Sequence, residues 1–185
     1  MKFLQIVGRK KSGKTSLVVR LIPLLQACGL RVGSIKHSSH PHPLDRQGSD
    51  SWLHRQAGAE VTFGITAVAV SVQRPLPADA AALESLIARE MREIDLVLIE
   101  GWSERRGPKI EVVPPDAEGR AKPARFAESG ELLAVVLGPG VREADGAMLG
   151  RGVAEGTRGE SETRWFRWNE IAAVAGFVEA WTRRG

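Results

Sequence analysis

The chain has 185 residues, 43% of them hydrophobic, with one cysteine and a net charge of +4. This length suits a single domain spanning residues 1–185. The lone Cys28 excludes an internal disulfide framework and a multi-cysteine zinc site. We therefore expect the protein to reside in the reducing cytoplasm. No apolar run approaches the length of a membrane span or a signal peptide. The positive charge is modest and no aromatic stacking platform accompanies it, so we expect neither a membrane nor a nucleic-acid partner.

Strand and helix patterns alternate along the chain. Helical periodicity predicts helices at residues 14–28, 50–57, 78–93 and 169–183. Apolar runs rich in β-branched residues predict strands at residues 3–7, 31–36, 60–64, 67–72, 96–100, 110–113 and 132–137. This alternation predicts an α/β fold, in which a mostly parallel sheet carries helices on both faces.

Residues 8–15 read Gly-Arg-Lys-Lys-Ser-Gly-Lys-Thr between the first strand and the first helix. In this G-x-x-x-x-G-K-[ST] pattern, backbone N–H groups and the positive end of a helix surround phosphates. Gly8 and Gly13 permit the tight turn, Lys14 reaches the β- and γ-phosphates, and Thr15 offers its hydroxyl to Mg²⁺. The pattern predicts a P-loop NTPase-like fold that binds a nucleoside triphosphate. The expected phosphate-site residues are Gly8, Lys11, Ser12, Gly13, Lys14, Thr15 and Ser16.

A magnesium–triphosphate site also needs an acidic residue at the carboxyl end of a neighbouring strand. Asp95 and Glu100 flank the strand at residues 96–100 and lie roughly 16 Å apart, at about 3.3 Å per residue. Only Glu100 lies at the edge of the sheet where the phosphate loop is found. We therefore predict that Glu100 binds Mg²⁺ through water, that Gly101 lies near the γ-phosphate, and that Asp95 only begins the strand.

A polar segment follows the second strand at the same edge. It can act as a switch loop, because its polar groups gain contacts only when the γ-phosphate is present. We predict that His37 contacts phosphate and that Asp45 orients Mg²⁺. Solvated histidines are an equally good interpretation, and Asp50 is a candidate N-cap for the following helix. A metal-delivery GTPase that holds Zn²⁺ or Ni²⁺ on His37, His40 and His42 stays open as an alternative.

Two segments in the second half carry neither helix nor strand patterns. Residues 114–127, with three prolines and a glycine, predict a loop, and residues 150–163, with four glycines and five charges, predict a mobile loop. The second segment could also close over an acceptor, so a small-molecule kinase is a further alternative. The cations that such a lid would use are Arg151, Arg158 and Arg164.

An ordered series of short motifs resembles the MobB-type molybdopterin-guanine dinucleotide biosynthesis adaptor proteins, a P-loop GTP-binding family. Besides the phosphate loop, the series comprises Lys36-His37-x-x-His40, Gly48-x-Asp50-Ser51-Trp52, Ala57-Gly58-Ala59, Glu100-Gly101-Trp102 and Pro108-Lys109-Ile110-Glu111-Val112. It covers about residues 1–115, and beyond Pro115 only a strand and a terminal helix correspond. One position departs from the family pattern, since Ser49 stands where a lysine is common.

The resemblance implies a homodimeric, GTP-binding and Mg²⁺-binding adaptor that assists the guanylyltransferase joining GMP to molybdopterin. Molybdopterin itself and molybdoenzymes are further partners that it suggests, and residues 108–112 would form a framework strand or a dimer contact. The strand at 132–137 is not followed by the guanine-reading Asn-Lys-x-Asp pattern. No catalytic glutamine or arginine finger is evident, so we assign no catalytic residue and expect at most a slow GTPase.

Overall fold

The computed structural model describes residues 1–40, 44–142 and 163–184. These residues group into two compact units, the first made of Met1–Ser38 and Met91–Gly185 and the second of Ser39–Glu90. That residues 1–185 behave as one domain stays a prediction. The predicted mobile loop at 150–163 lies outside the described residues, apart from Thr163.

Strands and helices alternate as the sequence predicts. The described elements, in chain order, are β1 (Lys2–Gly8), α1 (Lys14–Ala27), β2 (Val32–Lys36), α2 (Asp50–Gln56), β3 (Thr62–Ile65), β4 (Val70–Gln73), α3 (Ala80–Glu90), β5 (Leu96–Glu100), β6 (Lys109–Val113), β7 (Leu132–Leu137), β8 (Arg164–Phe166) and α4 (Ile171–Arg183). Seven of these strands were predicted. The eighth, β8, was missed because three residues are too few to show an alternating pattern.

The first unit is built on a six-stranded sheet in the order β2-β5-β1-β6-β7-β8, and every pair of neighbouring strands is parallel. The predicted mostly parallel sheet is thereby confirmed. Strand β1 lies between β5 and β6, with Ile6 opposite Glu100 and Gly8 opposite Val112. Because all six strands run the same way, their carboxyl ends meet at one edge of the sheet, where the segments after β1, β2 and β5 begin.

Helices α1 and α4 pack together on one face of this sheet. Helix α1 buries Leu17, Leu21 and Leu25, whose spacing of four residues places them along one stripe. Helix α4 buries Val174 and Val178 in the same way. The strand residues in this core are Leu4, Ile6, Leu96, Leu98, Ile110, Val112, Ala134 and Val136.

Connecting segments cover the opposite face near β6 and β7. Val113 and Val135 pack there against Ala121 and Phe126, which belong to the loop predicted at residues 114–127. The polar side chains of Gln5, Lys109 and Glu111 are also buried within the sheet, each at most 1% exposed. The Lys109 ammonium is paired with Glu131, 2.5 Å from its Oε2 atom. Such burial requires partners, because an unpaired buried charge is strongly destabilising.

The second unit contains α2, the antiparallel hairpin β3–β4, and α3. Ser49, not Asp50, is the N-cap of α2, since its hydroxyl accepts a hydrogen bond from Trp52 N. In the hairpin, Phe63 lies opposite Val72 and Ile65 opposite Val70, so these four apolar side chains share one face. All four are exposed.

Among the described residues, no helix combines the length and the apolar character needed to cross a membrane.

Candidate functional site

The glycine loop joins the end of β1 to the start of α1. Gly8 and Gly13 have φ angles of 142° and 103°, in the range that favours glycine. A Cβ atom at Gly8 would lie 2.3 Å from the backbone oxygen of Val112, and one at Gly13 would lie 2.9 Å from the Pro139 side chain. Both positions therefore exclude any larger residue, and the backbone passes close to β6 and β7.

The first turn of α1 faces this loop without a cap. Gly13 precedes the helix and supplies no side-chain cap, and the first hydrogen bond of the helix runs from Leu17 N to Gly13 O. The N–H groups of Lys14, Thr15 and Ser16 have no acceptor within the helix. Such a helix end, with its positive partial charge, binds phosphate oxygens.

Lys14 lies across the loop. Its ammonium donates hydrogen bonds to the backbone oxygens of Gly8, at 3.0 Å, and Arg9, at 2.6 Å. Partial burial lowers the pKa of the Lys14 ammonium, and this is the largest influence on it. The surrounding charges that also act on this pKa are Glu100, which raises it, and Lys36 and Arg125, which lower it.

Glu100 and Thr15, both predicted as magnesium ligands, meet at the mouth of the loop. Thr15 Oγ1 donates to Glu100 Oε1 at 2.7 Å, and the Glu100 carboxylate is almost fully buried. The ammonium of Lys36 pairs with the same carboxylate oxygen. Lys36 ends β2 directly opposite Glu100 at the end of β5. Sequence analysis gave Lys36 no role, because only the pairing of β2 with β5 brings the two residues together.

His37 and Gly101 are also neighbours at this edge. A Cβ atom at Gly101 would lie 2.9 Å from the backbone oxygen of His37, and the His37 N–H donates to Glu100 O at 3.0 Å. The His37 ring stacks on the Trp102 ring, with centroids 4.9 Å apart and planes 8° apart. This stacking holds the imidazole beside the turn that follows β5.

Asp45 belongs to the second unit. Its carboxylate accepts hydrogen bonds from Ser49 Oγ at 3.2 Å and Ser51 Oγ at 2.9 Å. Burial would raise the pKa of Asp45, but these hydrogen bonds outweigh it and hold the pKa below its usual value. The Ser49 that replaces the usual family lysine thus caps α2 and contacts Asp45. That Asp45 orients Mg²⁺ stays a prediction.

Two further loop residues and the histidines complete the predicted set. Ser12 is buried, and its hydroxyl has no partner among the described residues, while Lys11 is exposed with a φ of 61°. His40 is exposed, and His42 lies outside the described residues. The part of the chain that the structure describes contains no group of three or more His, Cys, Asp or Glu residues placed to hold a metal ion.

A buried carboxylate lies on β6 opposite Val7, just before the loop begins. Glu111 is fully buried on β6, and its Oε2 atom accepts hydrogen bonds from the backbone N–H groups of Arg125, at 2.8 Å, and Phe126. The signal in the sequence was a carboxylate within an apolar strand, but its partners come from a loop 14 residues further on.

The fold and the site define a class. A parallel sheet whose central strand continues through a glycine loop into a helix, with a threonine and a strand-end glutamate at the mouth, is the arrangement of P-loop nucleotide-binding proteins. Residues 3–137 match the family model described as "MobB: Molybdopterin guanine dinucleotide synthesis protein B". The chain belongs to this family.

Known proteins similar to the chain agree. It is 38% identical over 109 residues to the molybdopterin-guanine dinucleotide biosynthesis adapter protein of Haemophilus influenzae, covering 58% of this chain and 60% of that protein. It is 35% identical over 101 residues to the protein of the same name from Escherichia coli strain K12, covering 54% and 58%. The chain thus spans about 60% of the length of the curated relatives it matches. A crystal structure of molybdopterin-guanine biosynthesis protein B superposes with a TM-score of 0.66 at 26% identity, covering 99% of this chain and 100% of that one.

Proposed function

We propose that the chain is a GTP-binding adaptor of molybdopterin guanine dinucleotide biosynthesis, which assists the guanylyltransferase that joins GMP to molybdopterin. It works as a homodimer in the cytoplasm, uses Mg²⁺, and hydrolyses GTP slowly at most. The similarity to adapter proteins of this pathway supports both the pathway and the adaptor role. The observation that carries the nucleotide site is the meeting of Lys14, Thr15 and Glu100 at the mouth of the glycine loop.

The residues present fit a magnesium-bound triphosphate. The uncapped N–H groups at the start of α1 suit the phosphate oxygens. The Lys14 ammonium lies over the loop, where phosphate oxygens would replace the backbone oxygens of Gly8 and Arg9 as its hydrogen-bond acceptors. Mg²⁺ prefers hard oxygen ligands and keeps several waters. Thr15 Oγ1 and the Glu100 carboxylate are such ligands, and bound Mg²⁺ would neutralise charge on the phosphates.

A cavity beside the loop supports a nucleotide over a simple polyphosphate. It has a volume of about 280 Å³ and lies where β7 and β8 end, lined by Leu137, Gly138, Val141, Arg142, Arg167, Trp168 and Asn169. The Trp168 ring also borders the loop, 3.0 Å from where a Cβ of Gly13 would lie. A base could enter this cavity while the phosphates remain on the loop. The exposed Asn169 amide can both donate and accept hydrogen bonds.

Slow hydrolysis follows from the groups around the predicted γ-phosphate. Fast phosphoryl transfer needs a residue that orients the attacking water, in addition to the metal and the loop lysine. His37 is stacked on Trp102 and the Glu100 carboxylate is engaged by Thr15 and Lys36. The described residues at this edge therefore suit binding better than rapid turnover.

Lys14→Ala tests the site. We expect it to weaken GTP binding about 10- to 100-fold, because a charge-assisted hydrogen bond to phosphate is lost. Lys10→Ala removes the same charge from an exposed position of the same loop and should change the affinity by less than about twofold. Calorimetric titration with GTP and with ATP, each with Mg²⁺, measures both variants and the base preference. Unchanged nucleotide binding by Lys14→Ala would refute the site.

Glu100→Gln tests the metal role. The amide keeps the size of the side chain but removes the charge that attracts Mg²⁺, so the Mg²⁺ concentration needed for half-maximal GTP binding should rise about tenfold. GTP affinity at saturating Mg²⁺ should change much less. Asp95→Asn is the matched control, since Asp95 pairs with Arg31 at the other end of the same strand. An Mg²⁺ titration that is identical for wild type and Glu100→Gln contradicts the assignment.

Co-purification tests the adaptor role. The tagged chain, loaded with GTP and Mg²⁺, should retain the molybdopterin guanylyltransferase of the same organism on an affinity column, and Lys14→Ala should retain less. If the chain were instead a kinase, the supply of an acceptor would accelerate ATP consumption without any retained enzyme. Failure to retain the guanylyltransferase in every nucleotide state would count against the adaptor role.

The hairpin of the second unit supports the homodimer. Its apolar face, made of Phe63, Ile65, Val70 and Val72, is exposed. Exposed apolar patches of this kind usually mark an interface with another protein. A two-stranded sheet also has two unpaired edges and is marginal by itself. A second copy of the same hairpin would cover the face with an identical apolar face, as twofold symmetry requires.

Strand β6, in contrast, is buried at every residue, which favours the framework role over the dimer contact for residues 108–112.

Ile65→Glu is expected to convert a dimer into a monomer, because it places a charge in the centre of this face. Val68→Glu is the control, since Val68 is 94% exposed and lies outside both strands. Sedimentation velocity over a range of concentrations distinguishes the two forms. A wild type that stays monomeric at all concentrations excludes the homodimer, and a dimer that survives Ile65→Glu excludes this interface.

A further inference from the structure

The carboxylate of Glu111 has no contact with solvent and lies on β6, the neighbour of β1. Its Oε2 atom accepts the backbone N–H groups of Arg125, at 2.8 Å, and Phe126, at 3.2 Å. The Oε1 atom has no partner among the described residues. Burial of a carboxylate is unfavourable unless hydrogen bonds replace those lost to water. Here the two hydrogen bonds hold the peptide groups on either side of the Arg125 Cα atom.

The same segment is attached to the phosphate loop itself. Arg9, the second residue of the loop, donates from Nη1 to the backbone oxygen of Pro123 at 3.2 Å. Residue Val112, next to Glu111, lies directly opposite Gly8 in the sheet. The backbone of residues 123–126 is thus fixed at two points, one on the loop that surrounds phosphates and one on the strand beside it.

Between these attachments, the Arg125 side chain is exposed. Its guanidinium lies 5.5 Å from the centroid of the adjoining Phe126 ring and forms no ion pair with a carboxylate in the part of the chain that the structure describes. No described carboxylate thus lies within ion-pair distance of the Arg125 guanidinium. Arginine in this situation suits a phosphate, which it can bind with two parallel hydrogen bonds.

Electrostatic effects show which groups lie near this charge. Burial is the main reason that the pKa of Lys14 is lowered, and the charge of Arg125 contributes to the lowering. The pKa of Glu104 is lowered chiefly by hydrogen bonds from its own backbone N–H and from Ser103, and Arg125 adds to this as well. Lys14 belongs to the phosphate loop and Glu104 follows the turn at Gly101. Arg125 is thus within electrostatic reach of both sides of the site.

We propose that Arg125 contacts the terminal phosphate of a nucleoside triphosphate bound at residues 8–15, and that Glu111 is the positioning residue that holds Arg125 there. This inference rests on the nucleotide site of the proposed function. The N–H groups at the start of α1 would hold phosphate oxygens, and Lys14 and Gly101 are the loop-side residues that the terminal phosphate would reach. A cation that contacts only this group lets the chain distinguish a triphosphate from a diphosphate.

The test compares two ligands on matched variants. Arg125→Ala should weaken binding of a non-hydrolysable GTP analogue about 10- to 100-fold with Mg²⁺ present, because a charge-assisted contact is lost. Its affinity for GDP should stay within about twofold of wild type. Arg120→Ala is the control, since Arg120 lies in the same connecting segment and pairs with Asp116 and Glu118. An analogue affinity within about twofold of wild type for Arg125→Ala overturns the proposal.

Lys14→Ala separates this inference from the proposed function. If Lys14→Ala binds both ligands as wild type does, the nucleotide site itself is wrong. If Lys14→Ala loses both ligands and Arg125→Ala loses neither, only the role of Arg125 is wrong.

The role of Glu111 is tested by a double-mutant cycle. Glu111→Gln keeps the volume and an acceptor oxygen but removes the charge, so analogue affinity should fall about threefold in the wild-type background. In the Arg125→Ala background the same change should have no further effect, while GDP binding reports that each variant is folded. An equal loss in both backgrounds would show that Glu111 does not act through Arg125.

Discussion

The close approach of the glycine loop to two strands is the constraint on which the site depends. Gly8 passes so near the backbone of Val112 that no side chain fits, and Gly138 at the end of β7 lies equally near the backbone of Ser12. A Cβ at Gly138 would lie 2.6 Å from Ser12 O. The loop therefore packs directly against the carboxyl edge of the sheet, and helix α1 begins at that edge. Any substitution that separates loop from strands would also misplace the N–H groups of α1.

Charge at this edge is unbalanced in favour of an anion. One buried carboxylate, Glu100, is close to the cations Lys14 and Lys36, and the charge of Arg125 is felt at Lys14 as well. Mutual repulsion among these cations is unfavourable in the protein alone and is relieved when phosphate oxygens lie among them. The arrangement explains how a chain whose net charge is only +4 can concentrate positive potential at one place.

The two units differ in how completely their apolar side chains are buried. In the first unit, helices α1 and α4 and the connecting segments bury the sheet, and the buried Lys109 ammonium within it is paired with Glu131. In the second unit, the hairpin leaves four apolar side chains exposed on one face. The glycine loop and the exposed apolar face thus belong to different units of the chain.

By itself, the sequence determined those features that depend on neighbouring residues. The eight-residue motif specified the loop, because glycine conformation and helix polarity are local properties, and apolar runs specified seven of the eight described strands. The position of Glu100 at a strand end was also predictable, and its contact with Thr15 follows from the direction of parallel strands.

Only the tertiary structure decided which of these ends meet. Lys36 reaches Glu100 because β2 pairs with β5, and Glu111 holds Arg125 because a loop folds back over β6. The N-cap at Ser49 instead of Asp50 is a difference of one residue that pattern alone does not resolve. Strand order and loop path depend on contacts between residues far apart in the chain, and the energy of such contacts is spread over the whole core and leaves no periodic signal in the sequence.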